Sequence, residues 1–165
     1  MNSEITIEQF SPVYSNQVFD LILPIQREEF SINISREDQP DLVQIPAFYQ
    51  TGNGNFWIAL HDEKVVGSIA LKDIGLGLTA LRKMFVSAPY RGKNKAVALA
   101  LLRTAKRWAK ERKTKSIYLG TTAQFHAAHR FYEKNGFAEI SQNELPPAFP
   151  IMAVDTKFYR FNFDD

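Results

Sequence analysis

The feature that most constrains this chain is an abrupt change of hydrophobic period between residues 80 and 112. Ala80 to Val86 reads as a strand, and Pro89 ends it. After a short basic loop, Lys95 to Arg112 repeats its apolar residues at the helical period. Val97, Leu101, Leu102, Ala105, Trp108 and Ala109 lie on one side, with Arg103, Lys106, Arg107 and Lys110 opposite. A strand that passes through a tight loop into a long amphipathic helix must be layered, with the helix packed on the sheet that holds the strand. The loop itself, Arg91-Gly92-Lys93-Asn94-Lys95-Ala96, falls where the first helical amides have no partner inside the helix. The helix dipole adds partial positive charge at the same point. Gly92 and Ala96 are small enough for a ligand to reach the backbone, and Arg91, Lys93 and Lys95 concentrate cations there. These are the attributes of an anion site suited to a diphosphate. A solvated basic helix start with no ligand is the other reading of the same residues. The loop lacks the glycine pattern and the Lys-Ser/Thr ending of an ATP-binding P-loop.

The remaining elements follow from period and punctuation. Ile5 to Phe10 alternates as a first strand. Ser15 to Phe30 has helical spacing, interrupted by Pro24, which predicts a kink or two pieces. Asp41 to Tyr49 is a short second helix with Pro46 as its weak point. Phe56 to Leu60 and Val65 to Leu71 flank His61-Asp62-Glu63-Lys64 as a hairpin, and Gly75 and Gly77 mark the next turn. Ser116 to Gly120 is a strand and His126 to Lys134 a helix closed by Asn135-Gly136. Phe137 to Ile140 and a segment within Met152 to Phe163 supply the last strands. The order is β-α-α-β-β-β-α-β-α-β-β. It predicts an α/β fold of mixed type: one mostly antiparallel, twisted mixed sheet of about 6–7 strands with about four flanking helices, in a single domain over residues 1–165.

Composition excludes several function classes. Hydrophobic residues make up 45% and aromatics 13%, so the chain can bury a sizeable core. Twenty basic against 18 acidic residues, a net charge of +2, argue against nucleic acid as the main partner. The absence of cysteine removes disulfides, thiol nucleophiles and cysteine-ligated metals. No run reaches the ~18 apolar residues of a membrane span, and Met1-Asn2-Ser3-Glu4 does not begin a signal peptide, so the expectation is a cytoplasmic protein with no membrane partner.

The segment Leu81 to Ala96 resembles motif A of the GNAT family of N-acetyltransferases, whose loop reads Arg/Gln-x-x-Gly-x-Gly/Ala. Arg91 to Ala96 match it except that the central glycine is Asn94, a residue tolerant of left-handed backbone. Phe131-Tyr132-Glu133-Lys134-Asn135-Gly136-Phe137 is similar to the family's motif B, Phe-Tyr-Glu-Lys-x-Gly-Phe. Tyr132 follows Arg91 by 41 positions, in the family's order and spacing. The resemblance covers residues 50–140 well and the termini only by element order.

What the resemblance implies is a direct transfer of an acetyl group from acetyl-coenzyme A, as co-substrate, to a primary amine in a ternary complex. The strand before the loop then carries a bulge and splays from its neighbour, so that the pantetheine arm pairs with the open strand edge. Carried over, the cofactor-binding residues are Met84, Phe85, Val86, Arg91, Gly92, Lys93, Asn94, Lys95, Ala96, Val97 and Phe125. The Met84 amide faces the acetyl carbonyl as the oxyanion contact, and Tyr132 is the general acid that protonates the leaving thiolate. Met84, Val86 and Tyr132 also read as ordinary core positions.

Two departures bear on the chemistry. Many relatives place a glutamate where this chain has Ala80, and the asparagine often found seven residues before the tyrosine is Phe125. An amine of pKa ~10.4 is about 0.1% neutral near a pH of roughly 7.4, which costs ~4 kcal/mol, so a base or water path is needed. Glu28, Glu29, Asp38, Asp41, His126 and His129 are the candidates. The two histidines share a helix face, but no third ligand accompanies them, and no metal is expected. The acceptor pocket is expected where the first two helices meet the sheet and the last hairpin, with Phe30, Phe48, Tyr49, Phe149 and Met152 as its lining or as core. The acceptor is a small-molecule or peptide amine, and a homodimer is left open. The missing carboxylate at Ala80 keeps a second reading in play, a non-catalytic acyl-coenzyme A-binding module of the same fold.

Overall fold

The structure, a computed structural model, describes residues 4–92, 96–123 and 125–163. Lys93, Asn94 and Lys95 of the predicted anion loop lie outside the described residues. Seven strands form one sheet: β1 (Thr6–Gln9), β2 (Asn55–His61), β3 (Lys64–Gly75), β4 (Leu78–Val86), β5 (Ser116–Thr121), β6 (Ala138–Ile140) and β7 (Lys157–Asn162). Their spatial order is β1-β2-β3-β4-β5-β7-β6, and every neighbouring pair is antiparallel except β4 with β5. That parallel pair is joined by the helix predicted after the loop, α4 (Val97–Glu111), as a parallel crossover requires.

The other helices are α1 (Ser15–Pro24), the single turns α2 (Pro40–Val43) and α3 (Ile45–Phe48), and α5 (His126–Lys134). Pro24 does not break the first helix outright. The chain runs on as a π-helical stretch, Ile25–Glu29, because a proline removes one intrahelical donor and a wider turn absorbs the loss. The predicted helix from Asp41 to Tyr49 is two turns instead of one helix. Gln44, at φ −126°, separates them, and Pro46 sits in the opening of the second turn, where its missing N–H costs no helical bond. The last strand begins at Lys157, and Met152 to Asp155 form a turn.

Alternation along the strands sorts the core into two faces. On one face α4 and α5 cover Ala59, Val66, Leu71, Leu81, Ile117 and Tyr159. Leu101, Leu102 and Ala105 of α4 are fully buried against them, which is why the helical period of that segment is so clear in the sequence. On the other face α1 to α3 cover the β1–β4 half through Phe56, Ile58, Val65 and Ala70. The β5–β7 half of that same face carries a smaller cluster of Ala80, Tyr118, Ile140, Phe149 and Phe158. Lys72 pairs across to Ala80, so Ala70, Lys72, Ala80 and Arg82 share this face, and a trench runs between the two clusters above β4 and β5.

Candidate active site

The site forms where β4 loses its neighbour. The β4–β5 pairing runs only from Leu78–Ser116 to Ala80–Tyr118, yet β4 continues to Val86 and β5 to Thr121. The two strands part beyond Ala80. At the point of parting β4 carries a bulge: Ala70 pairs with Arg82 and Ser68 with Phe85, so three steps on β4 oppose two on β3. Lys83, at φ +54°, takes the extra residue, and the Ser68 hydroxyl donates to its carbonyl at 2.7 Å. A lysine in this left-handed region costs about 1 kcal/mol, which the surrounding pairing holds in place.

The bulge sets which way the backbone faces. The Ser87 amide donates to Val66 on β3 at 2.9 Å, so by alternation the peptide groups of Val86 and Met84 face the open side. Met84 and Val86 send their side chains onto the α4 face, and Phe85 sends its ring to the opposite cluster. Tyr132 lies on the same face as Met84 and Val86, against Phe131, Phe137 and Tyr159, and is 7% exposed. Burial raises its phenol well above the ordinary tyrosine value, so the group is a proton donor and not a phenolate at neutral pH.

Beyond β4, Gly92 adopts φ +111°, and a Cβ placed on it would meet no other described residue within 4 Å. Ala96, at φ +52°, is the N-cap of α4 and supplies no side-chain cap; the first turn contains no acidic residue. Among the described residues no side chain caps the opening amides from Val97 onward, and the dipole of a four-turn helix stands behind them. The residues present fit a diphosphate here. The Arg91 side chain is differently placed from that expectation. Its Nε donates to the Val86 carbonyl at 2.7 Å, and its two terminal nitrogens form a bidentate pair with Glu29 at 2.7 and 3.0 Å. It ties the end of β4 to the π-helical stretch.

Most of the carboxylates and histidines weighed as bases are engaged. Glu29 holds Arg91, and Asp38 accepts from the Ser35 amide and hydroxyl. Buried Asp41 accepts from the Tyr49 hydroxyl at 2.6 Å and lies 3.5 Å from Lys83 Nζ. The Lys83 ammonium is pushed down by burial, partly offset by Asp41, and also donates to Gln39 at 2.8 Å. Buried His129 pairs its Nε2 with the Thr122 carbonyl at 2.8 Å; His126 is exposed, as is Glu28. No group of three metal-ligating side chains gathers among the described residues.

Two residues in the trench carried no signal that sequence reading could use. Arg82 lies half-buried against Phe48 and Tyr49, its guanidinium 5.8 and 5.9 Å from their ring centres, and its Nη2 is 3.8 Å from Met152 Sδ. Asp155 caps the Met152–Asp155 turn by accepting from the Met152 amide at 3.0 Å, and it is seated directly on Gly120. A Cβ at Gly120 would stand 2.6 Å from Asp155 Oδ2, so glycine is required for this approach. Burial raises the Asp155 carboxyl above its ordinary value, while the Met152 amide and Arg82 pull it down. Of the five expected lining residues, Tyr49 and Phe149 are core, Phe48 and Met152 face Arg82, and Phe30 stacks on Phe125 at 4.3 Å.

An open sheet that splays at a bulge and leads into an uncapped helix start is an architecture this chain shares with acetyltransferases of solved structure. The model of the Acetyltransferase (GNAT) family matches residues 19–137, and the chain belongs to that family. The fold matches an acetyltransferase of the GNAT family from Staphylococcus aureus Mu50 with a TM-score of 0.90 and 40% identity, over 96% of this chain and 98% of that one. An acetyltransferase from Bacillus anthracis, solved in complex with acetyl-coenzyme A, matches at 27% identity and a TM-score of 0.57, over 72% of this chain and 67% of that one. The N-acetylaspartate synthetase of Xenopus tropicalis is 32% identical over 127 residues, 74% of this chain. This chain spans 46% of that relative's length.

Proposed function

We propose that residues 1–165 act as a single-domain N-acetyltransferase that moves an acetyl group from acetyl-coenzyme A to the primary amine of a small molecule or peptide, by direct attack, in the cytoplasm. The observation that carries this reading is the open edge of β4 beyond Ala80, with Met84 and Val86 peptides turned to it and the uncapped α4 start at its end. Pantetheine adds to this edge as a strand would, and the Val86 carbonyl exchanges Arg91 for it. The amides after Ala96, with those of Gly92 to Lys95, hold the diphosphate. The Met84 amide donates to the acetyl oxygen, where charge develops as the amine attacks. Tyr132 gives its proton to the departing thiolate, a modest contribution because a thiol of pKa ~8.5 is a fair leaving group.

The sheet separates the two substrates and the splay joins them. The cofactor side is the α4–α5 face that holds Tyr132, and the amine arrives through the trench on the α1–α3 face. A non-catalytic acyl-coenzyme A-binding module is the second reading, favoured by Ala80, which is fully buried and offers no carboxylate, and by Phe125, whose ring is occupied with Phe30. Calorimetry with acetyl-coenzyme A, followed by thiol release against a panel of primary amines, separates the two. The enzyme binds and turns over; binding without release of coenzyme A beyond hydrolysis would leave the module.

A further inference from the structure

The geometry points to an acceptor that carries a carboxylate beside its amine, with Arg82 gripping the carboxylate and Asp155 facing the ammonium. This inference rests on the N-acetyltransferase reading above and names the class of its second substrate. The trench floor is Ala80 and Arg82 on β4 and Gly120 on β5, all on the face away from Tyr132. Arg82 stands two residues before Met84, at the level where the strands part. Its guanidinium lies beside aromatic rings and a thioether but within 4 Å of no carboxylate among the described residues. Lys72, on the same face two positions along, adds a second cation beside the Phe48 ring at 4.4 Å, while its Nζ donates to the Phe48 carbonyl. Lys83 is already matched by Asp41. An arginine fork held half-buried without a carboxylate partner is suited to a bidentate carboxylate from outside.

Asp155 supplies the opposite pole from the other wall. Its Oδ2 is fixed by the Met152 amide and the close seat on Gly120, and Oδ1 accepts no hydrogen bond among the described residues. Ala80 itself offers no carboxylate, and Asp155 brings one to this face of the sheet from the turn before β7. Arg82 and Asp155 both contact Met152, one at its sulfur and the other at its amide, and they do not pair with each other within 4 Å. With the substrate so placed, Asp155 accepts one proton from the ammonium. The freed nitrogen lone pair forms the C–N bond to the thioester carbonyl, the C–S bond breaks, and the thiolate takes a proton from Tyr132. As the adduct collapses the nitrogen gives up its second proton, which returns by way of water to the Tyr132 phenolate, and the proton held by Asp155 passes to solvent, so one proton is released per turnover.

The test compares matched acceptors in the full chain: L-leucine with isopentylamine, L-phenylalanine with phenethylamine and with L-phenylalanine amide. Wild-type kcat/KM is expected to favour the carboxylate-bearing member by about 10- to 100-fold, the worth of one charged hydrogen-bonded contact. Arg82→Met should erase that preference, Arg82→Lys should keep part of it, and Arg82→Glu should turn it toward the amines lacking a carboxylate. Asp155→Asn should lower turnover of every acceptor. In each variant the affinity for acetyl-coenzyme A should stay within about twofold of wild type, which shows that the fold and cofactor site are intact. Equal or better use of the decarboxylated amines by wild type, or an unchanged preference in a folded Arg82→Met, overturns the carboxylate site while leaving acetyl transfer standing. Tight cofactor binding with no acceptor used overturns both.

Discussion

Phe30 stacks on Phe125 with ring centres 4.3 Å apart and planes at 30°, joining the end of the α1 segment to the start of α5. Phe85 of β4 lies 6.1 Å from the same Phe30 ring. An aromatic ring at position 125 thus holds together two elements that border the open edge. A double-mutant cycle with Phe30→Leu and Phe125→Leu, read by denaturant unfolding, is expected to give a coupling energy of about 1 kcal/mol. A coupling near zero would mean that the two rings touch without cooperating.

Tyr132→Phe should lower kcat by about 100-fold, the low end for general acid catalysis, and leave the Kd for acetyl-coenzyme A unchanged. Pre-steady-state release of coenzyme A at saturating acceptor measures it. Turnover equal to wild type would remove this hydroxyl from the chemistry and leave Tyr132 as core packing among Phe131, Phe137 and Tyr159.

Gly92 separates strain from charge. At φ +111° any L side chain is strained, although no other described residue stands within 4 Å of a Cβ placed there. Gly92→Ala is expected to cost about 1–2 kcal/mol of stability and to weaken the cofactor only modestly. Gly92→Glu adds a negative charge beside the diphosphate site and should abolish binding. Calorimetry on both variants checks it, and retained affinity in the glutamate variant would place the diphosphate elsewhere.

The Lys83–Asp41 pair is buried and its two ends belong to the bulge and to α2. Removing the cation alone, as in Lys83→Met, leaves a buried carboxylate with Tyr49 as its hydrogen-bond donor among the described residues and should cost about 3 kcal/mol in urea unfolding. The pair Lys83→Met with Asp41→Asn should recover most of that loss, because no uncompensated charge remains.

Acid should loosen the two exposed turns and relieve the trench. Backbone and side-chain hydrogen bonds from Ser35 hold Asp38, and those from Ser141 hold Glu144, below their ordinary values of 3.8 and 4.5. For a carboxylate with a depressed folded-state value, the stabilisation is present above the ordinary value and is lost as pH falls through the folded one. The melting temperature should therefore drop below about pH 4, and less steeply in Glu144→Gln. Asp155 has the opposite sign. Its raised value means that ionisation at neutral pH costs stability, so Asp155→Asn should melt higher than wild type near pH 7 while turning over more slowly.

Local chemistry determined most of the architecture. The helical period from Val97 to Glu111, the hairpin around Asp62-Glu63 and the helix from His126 to Lys134 are each written in residues near one another in the chain. So are the loop between strand and helix and the aromatic motif around Tyr132, because capping, turn formation and amphipathicity depend on neighbours a few positions apart. Only the tertiary structure decided what the acceptor side is made of. The bulge at Lys83 exists because β3 and β4 settle their register together, and the turn of Arg91 toward Glu29 joins residues 62 positions apart. Arg82 and Asp155, 73 positions apart by their numbering, meet over the same trench because β5 and β7 pair antiparallel and Gly120 leaves room for a carboxylate. No pattern in the chain brings such residues together; long-range pairing does, and its partners are chosen by packing rather than by sequence neighbours.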